Sequence, residues 1–444
     1  MSFECAYIPI GVGTFHLESA KSCFDKSVDY LRSLDAGFKA PSDMLLTIDA
    51  LDSYLETIKP DFAVVQNLTF ANAAYMCEIL KKIDCPVLLW TLREPVIDGT
   101  RLRLNSLTGA FSAANSMRGF GKTFEYVFGS PDEDKVKSKI KSVYAAAKLV
   151  KSFKSLKLLQ VGHTPQGFGF GRALDLEALK TFGVTVNSIE ARELIDKAKT
   201  FTDEDIVPYL DDAKKRICGL DSVNEKNVRD FARLYKAYYE YVKAEGIGAL
   251  ASRCWPDFFT SFGTPVCSVL GILNDLNVPA ACESDAYGAL TMYAANQLTG
   301  KAAFFGDPVS LDEKENTLTF WHCGMAPCSL AREDTGACAG LHCNRKIGPT
   351  LEFGCKAEEK VTIFRIGRNP DGTFRFFLTK GRAVDKPKQF SGTSIVVETE
   401  SSSAEIIDMA VRDGWEPHFA VAMGDITSEI EALGNFIGIE VCRY

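Results

Sequence analysis

NVPAACESDAYGALTMYAANQLTGKAAFFGDPVSL, residues 277–311, is the stretch on which the fold turns. NVPAACES (277–284) is a short apolar run ending in polar residues, the pattern of a buried strand. AYGALTMYAANQLTG (286–300) follows at once and reads as a helix stopped by Gly300. A strand running directly into a helix is the βα unit of a parallel sheet. After Gly300 the texture changes. AAFFGDPVSL is the first of several short β-like runs, with NTLTFWHCG, KVTIFRIG, TFRFFLTKG and TSIVVETE behind it, joined by turn signals such as NPDG (369–372). This is antiparallel composition, and it predicts a small barrel or sandwich.

Upstream, strand-like runs alternate with helical stretches. ECAYIPIGV (4–12), DFAVVQ (61–66), CPVLLWT (85–91) and FEYVFG (124–129) read as strands, with helices to about Leu34, over 71–83 and within 106–117. A long charged helix over 132–155 closes this series. A second begins at LKLLQVG (156–162) and continues through VTVNSI (184–189), two polar helices over about 202–244, and IGALASRC (247–254). Downstream, the chain closes with a helix over 403–412, the strand FAVAMG (419–424), another helix and IGIEVCRY. The expected architecture is α/β: two Rossmann-like parallel-sheet domains, 1–155 and 156–303, followed by a β-rich, antiparallel barrel-like C-terminal domain, 304–444.

Composition supports several packed cores. The chain has 444 residues, 46% hydrophobic and 24% charged, which excludes wholesale disorder. A net charge of −8 argues against a nucleic-acid binder, which normally shows a basic face, but not against a small polar substrate. The opening MSFECAYIPIG has no secretory pattern, and no apolar run reaches the ~18 residues of a membrane span. The 14 cysteines scatter from Cys5 to Cys442, so a cytoplasmic protein with reduced thiols is expected. Only five histidines occur: His16, His163, His322, His342 and His418.

Polar residues at strand ends are the candidates for chemistry, because ligands of parallel sheets bind there. Glu283 ends the apolar run of ACESD, Asp307 follows AAFFG, and His418 stands at the mouth of FAVAMG. Two carboxylates and an imidazole from separate elements can hold Mn²⁺ or Mg²⁺ with sites left for substrate oxygens. Each alone has a plainer reading, as a helix cap or a packed loop residue.

Together, ACESD, AAFFGDP, WHCG and GWEPH resemble the L-fucose/L-arabinose isomerase superfamily, the fucose-isomerase branch in particular, over most of the chain. The resemblance implies that Glu283 and Asp307, 24 residues apart, join His418 on a Mn²⁺ ion and serve as the acid/base pair of an aldose–ketose isomerase working through an enediol. His322, 15 residues after Asp307, matches the second histidine ligand of the arabinose-isomerase branch; its other readings are a hydrogen bond to a sugar hydroxyl or a structural role. The chain is shorter than typical fucose isomerases, which bears on the substrate more than on the reaction. The resemblance further implies a homo-oligomer, a hexamer, with each active site near a subunit interface. WTLREPVIDGTRLRLNSLTGAF (90–111) is the candidate segment for closing a neighbour's site.

Substrate-binding candidates are Trp90, Arg93 and Asn105 from that segment, Gln166 from the loop GHTPQGFGFGR (162–172), and Arg253. The loop lacks the G-x-G-x-x-G spacing of a nucleotide fingerprint. Arg93, Arg101, Arg103, Arg118, Arg172 and Arg253 sit in or near strand-end loops, where bidentate pairing could read a phosphate or sulfonate. Since members of the superfamily isomerise sulfoquinovose, an anionic sugar is the alternative substrate. A non-catalytic sugar-binding protein, and a metal-dependent epimerase or aldolase, are the competing classes. Cys323, Cys328, Cys338 and Cys343 have the spacing C-x4-C-x9-C-x4-C, not that of a zinc knuckle, and read as packed or reduced thiols.

Overall fold

The computed structural model describes residues 3–444, and contacts gather them into two compact units. The first runs to Ser152 and includes Ser428–Ile439; the second comprises Phe153–Thr427 and Glu440–Tyr444.

In the first unit, strands β1 (Cys5–Ile10), β2 (Phe62–Asn67), β3 (Val87–Thr91) and β4 (Glu125–Phe128) form a parallel sheet in that order. β1 to β3 are buried at every position, which is why they read as unbroken apolar runs.

The second unit holds another parallel sheet, of β5 (Lys157–Val161), β6 (Thr185–Ile189), β7 (Ala249–Ser252) and β8 (Ala280–Cys282), ordered β6-β5-β7-β8. Its remaining strands are β9 (Phe304–Asp312), β10 (Thr317–His322), β11 (Cys338–Gly340), β12 (Thr350–Gly354), β13 (Glu358–Arg368), β14 (Phe374–Val384), β15 (Thr393–Thr399), β16 (Phe419–Ala422) and β17 (Glu440–Arg443). They form one mostly antiparallel sheet, ordered β11-β12-β15-β10-β9-β16-β13-β14-β17. β15 also pairs with β14, so the pairing that runs from β15 through β10, β9, β16, β13 and β14 returns to β15. Helix Ala286–Thr299 joins the two sheets of this unit: it follows β8, and its Thr291 Oγ1 accepts the Ile366 N–H of β13 at 3.0 Å.

Helices Ile48–Leu55, Asp175–Phe182, Ala191–Lys199 and Cys267–Asp275, and strands β11 and β12, go beyond the sequence reading. Cys267–Asp275 is buried at eight consecutive positions, so it carries no amphipathic stripe to betray it. One expectation is corrected. Cys338 is not a reduced thiol: it is disulfide-bonded to Cys218, and so stands apart from Cys323, Cys328 and Cys343, which are free. Among the described residues no helix is long and apolar enough to cross a membrane.

Candidate active site and metal centre

Glu283 and Ser284, just past β8, are both in the left-handed region, with φ of 57° and 56°. That conformation costs a non-glycine residue roughly 1–2 kcal/mol, so the turn needs support. It comes from β5 and the residue just past it, two strands away in the sheet. Gln160 Nε2 donates to the Ser284 carbonyl at 3.1 Å, and Ser284 Oγ donates to the Gly162 carbonyl at 2.9 Å.

Asp285 then caps helix Ala286–Thr299, its Oδ1 accepting the Gly288 N–H at 2.8 Å. The same carboxylate receives both terminal nitrogens of Arg365, at 2.6 and 3.0 Å, and lies 3.0 Å from His418 Nδ1. All three side chains are buried. Space around Asp285 is tight as well. A Cβ on Gly171 would stand 2.7 Å from the Asp285 Cα, so glycine is what lets the 162–172 loop pass. Phe170 and Phe168 of that loop set their rings 5.6 and 6.2 Å from the His418 ring.

The antiparallel sheet delivers the other groups by register. Gly306 of β9 pairs with Phe419 of β16, and the next step along sets His418 across from Asp307. On its other side Asp307 pairs with Trp321 of β10, and an extra residue, Val309, shifts the register just beyond it. The outcome is one cluster. His418 Nε2 is 2.8 Å from Glu283 Oε2 and 3.5 Å from Asp307 Oδ1, while His322 Nε2 is 4.0 Å from Glu283 Oε2.

Burial opposes charge on His418, but its hydrogen bonds to Asp285 and Glu283 outweigh that and raise it to about 10. Burial would likewise raise Asp285, yet the Arg365 charge and His418 hold it far below the usual carboxylate range. Glu283 is lowered, because hydrogen bonding to His418 overcomes its own burial. Asp307 moves the other way and is raised by burial.

The hydrogen bonds also distinguish the histidines. Ionised Asp285 can only accept, so His418 carries a proton on Nδ1 and its Nε2 is the atom that faces Glu283 and Asp307. With the ring charged, Nε2–H donates to Glu283; a divalent cation among the two carboxylates would displace that proton and take up the Nε2 lone pair. The donor set therefore fits a divalent ion, with Asp285 as the partner that orients the liganding imidazole. His322 is the reverse case. Its Nδ1 accepts the Cys323 N–H at 2.9 Å, which leaves the ring proton on Nε2, a buried atom with no hydrogen-bond partner among the described residues. Glu283, His322 and His418 do bring ligand atoms within 4.8 Å of one another. The lone pair of His322 is nevertheless already engaged.

Cys267, Cys323 and His342 form a second close group, also within 4.8 Å, with 4.0 Å between the two sulfurs. His342 Nδ1 accepts the Asn344 N–H at 3.3 Å, so its lone pair too is occupied.

A cavity of about 270 Å³ opens on Glu283, Asp307 and His322 and is completed by Trp255, His342 and Arg345. Another cavity of about 260 Å³ also touches Asp307, but Leu318, Phe320, Ile363, Phe377 and Phe419 give it an apolar lining with no ligand set.

The other sequence candidates lie elsewhere. In the first unit Trp90 is fully buried and donates its indole N–H to the Gly129 carbonyl, and Arg93 pairs with Glu133. Asn105 there accepts the Thr108 hydroxyl ahead of helix Ser106–Gly119. In the second unit Gln166 is exposed, and Arg253 pairs with Asp257 and the Trp255 carbonyl. Asp285, Arg365 and Arg345 are not foreseen from sequence. The signal for Asp285 is its cap position ahead of the 286–300 helix; an arginine within an apolar strand, KVTIFRIG, is the signal for Arg365.

No family model matches the chain. A sulfoquinovose isomerase of Clostridium sp. (strain MSTE9) is 58% identical over 443 residues, covering 100% of this chain and 99% of its own. The sulfoquinovose isomerase of Priestia megaterium (strain ATCC 12872 / QMB1551) is 36% identical over 442 residues, covering 99% and 98%. That of Alkalicoccus urumqiensis is 36% identical over 438 residues, covering 98% of both. These names bear out a sugar isomerase, and they carry the anionic-sugar alternative rather than L-fucose. A solved glucose-galactose binding protein, GanP from Geobacillus stearothermophilus, aligns at 13% identity with a TM-score of 0.17, over 68% of this chain and 92% of its own, which is too little to carry an argument.

Arg365→Met leaves Asp285 buried without its counter-charge. The expected loss of folding stability is about 3–5 kcal/mol, read from urea unfolding of the variant against the parent. A loss below about 1 kcal/mol would mean that the pair is not what holds the carboxylate.

Proposed function

The chain belongs to the sulfoquinovose isomerase family, and from that premise we propose that it converts sulfoquinovose, a sulfonated aldose, into its keto isomer at the Glu283–Asp307–His418 cluster. The observation that carries the reading is the Asp285–His418 hydrogen bond, which turns the imidazole Nε2 toward two carboxylates. The competing class of a non-catalytic sugar binder has no use for such a set.

Glu283, Asp307 and His418 would hold the ion, Mn²⁺ or Mg²⁺. When bound, it supplies Lewis-acid stabilisation of the negative charge that develops on the sugar oxygens. His322 stays outside the ligand set and offers its Nε2–H to a sugar oxygen instead. The two carboxylates share the proton work: Glu283, beside His418 Nε2, takes the proton from carbon 2, and Asp307 returns a proton to carbon 1. The hydroxyl proton on oxygen 2 passes to oxygen 1, so an aldehyde beside an alcohol becomes a ketone beside an alcohol with no net gain or loss of atoms. The carboxylates then re-equilibrate with solvent for the next cycle.

We also read the chain as a short member of the L-fucose/L-arabinose isomerase superfamily, from the spacing of Glu283 and Asp307 and the late His418. A homo-oligomer, a hexamer by that resemblance, is part of the reading. Exposed Ile97, Phe111 and Phe120 in the first unit supply apolar surface for such contacts.

Glu283→Gln should lower kcat by at least 10²-fold while circular dichroism and unfolding midpoint stay close to the parent. Near-parental turnover in that variant would overturn the assignment. A chelator should abolish activity and Mn²⁺ restore it; full activity after exhaustive chelation, with no metal found by elemental analysis, would rule out the metal centre. In deuterated water, NMR of the ketose product should show deuterium bonded to carbon 1. Turnover with no label there would instead favour a hydride shift.

A further inference from the structure

Arg345 lies on the turn between β11 and β12 and lines the same cavity as Glu283, Asp307 and His322. That turn is closed on itself: His342 N–H donates to the Ile347 carbonyl at 2.9 Å, and Lys346 N–H to the His342 carbonyl at 2.8 Å. Its position is fixed further by the His342 ring, which meets Phe259 edge-on at 5.0 Å. The Arg345 guanidinium stands over two aromatic rings, 4.9 Å from Phe259 and 5.3 Å from Trp255. Stacking of this kind holds an arginine in place while leaving its N–H groups free to donate. Among the described residues no carboxylate pairs with it. The other arginine near Trp255 differs here, since Arg253 is occupied by Asp257. Among the described residues lining the cavity, Arg345 is the one side chain with a fixed positive charge.

The cavity is thus acidic where Glu283 and Asp307 stand and carries a held, unpaired guanidinium elsewhere on its wall. We propose that Arg345 binds the anionic group of the substrate, accepting the sulfonate on carbon 6 while carbons 1 and 2 lie at the carboxylates. This assignment rests on the reading of the substrate as sulfoquinovose. Arg345 is a specificity determinant and takes no part in the proton transfers. A guanidinium offers two parallel N–H donors to a tetrahedral oxyanion, a match that a neutral sugar terminus cannot use. A fixed cation with no partner is costly for a site meant to hold a methyl or hydroxymethyl end, and appropriate for one meant to hold a sulfonate.

The test compares sulfoquinovose with 6-deoxy-D-glucose, the same sugar without the sulfonate, in Mn²⁺-loaded parent, Arg345→Met and Arg345→Lys proteins. Arg345→Met should raise KM for sulfoquinovose roughly 10- to 100-fold with kcat changed far less. Its constant for 6-deoxy-D-glucose, taken as KM or as inhibition constant against sulfoquinovose, should move less than about threefold, within the scatter of a surface change. Arg345→Lys should recover part of the loss. An unchanged KM for sulfoquinovose in a folded Arg345→Met protein overturns the assignment. So does an equal loss on both sugars, which is the mark of a structural role. If the parent protein itself fails to turn over sulfoquinovose, the functional reading falls, and this one with it. A parent that works beside an unaffected variant sinks Arg345 alone.

Discussion

A buried, ionised carboxylate sets the geometry of this site. Removing a carboxylate from water costs several kcal/mol even after the protein relaxes, and Asp285 meets that cost with four donors. Two are the Arg365 nitrogens, one is the Gly288 amide at a helix N-terminus, and one is His418 Nδ1. None of the four can move without exposing the charge to an uncompensated interior. β13, helix Ala286–Thr299 and the residue ahead of β16 are therefore locked to one point. Glu283, only two residues before Asp285, inherits that precision, and the left-handed turn between them is the cost at which it is aimed at His418 rather than along the helix.

The same constraint explains why the site needs both sheets of the second unit. The end of a parallel strand can present a carboxylate to a crevice, and β8 does so with Glu283. It cannot bring an imidazole to the opposite wall. Antiparallel register can, because neighbouring strands place side chains rung by rung. β9 lies between β10 and β16, so Asp307 has Trp321 on one side and His418 on the other. Strand pairing brings residues 307 and 418 together, and the Asp285–Arg365 pair, which ties the parallel sheet β6-β5-β7-β8 to the antiparallel one, sets Glu283 beside them.

How much of this could be read from the sequence follows from what each signal depends on. Buried parallel strands announce themselves as apolar runs, and the change of texture after Gly300 marks where pairing becomes antiparallel. Glu283, Asp307 and His418 stood out singly as strand-end residues among few histidines, but it was the resemblance carried by ACESD, AAFFGDP and GWEPH that joined them into one set. The positioning residues were harder. Asp285 looks like any helix cap, and the one clue to Arg365 is that charge does not belong in a buried strand. The arginines that stood out, Arg93 and Arg253, did so by clustering in loops. In the structure each already has a carboxylate, Glu133 or Asp257. Whether an arginine is spoken for depends on residues far along the chain, as with Arg93 and Glu133, or on a local turn, and neither is encoded in loop composition.

Histidine shows the limit of residue type most sharply. His322, His342 and His418 all lie in buried clusters that could pass for metal sites by proximity. A neutral imidazole, however, has one lone pair, and the partner of its other nitrogen decides where that lone pair points. Backbone amides consume it in His322 and His342, whereas a carboxylate on the far nitrogen releases it in His418. The same ring thus serves opposite purposes a few ångströms apart. His418 turns Nε2 toward Glu283 and Asp307, where a cation can take the place of its proton. His322 turns a proton into the same space and suits a sugar oxygen carrying developing negative charge. In the proposed reaction the two rings would act on an enediolate together, His418 from behind the carboxylates and His322 from the cavity wall.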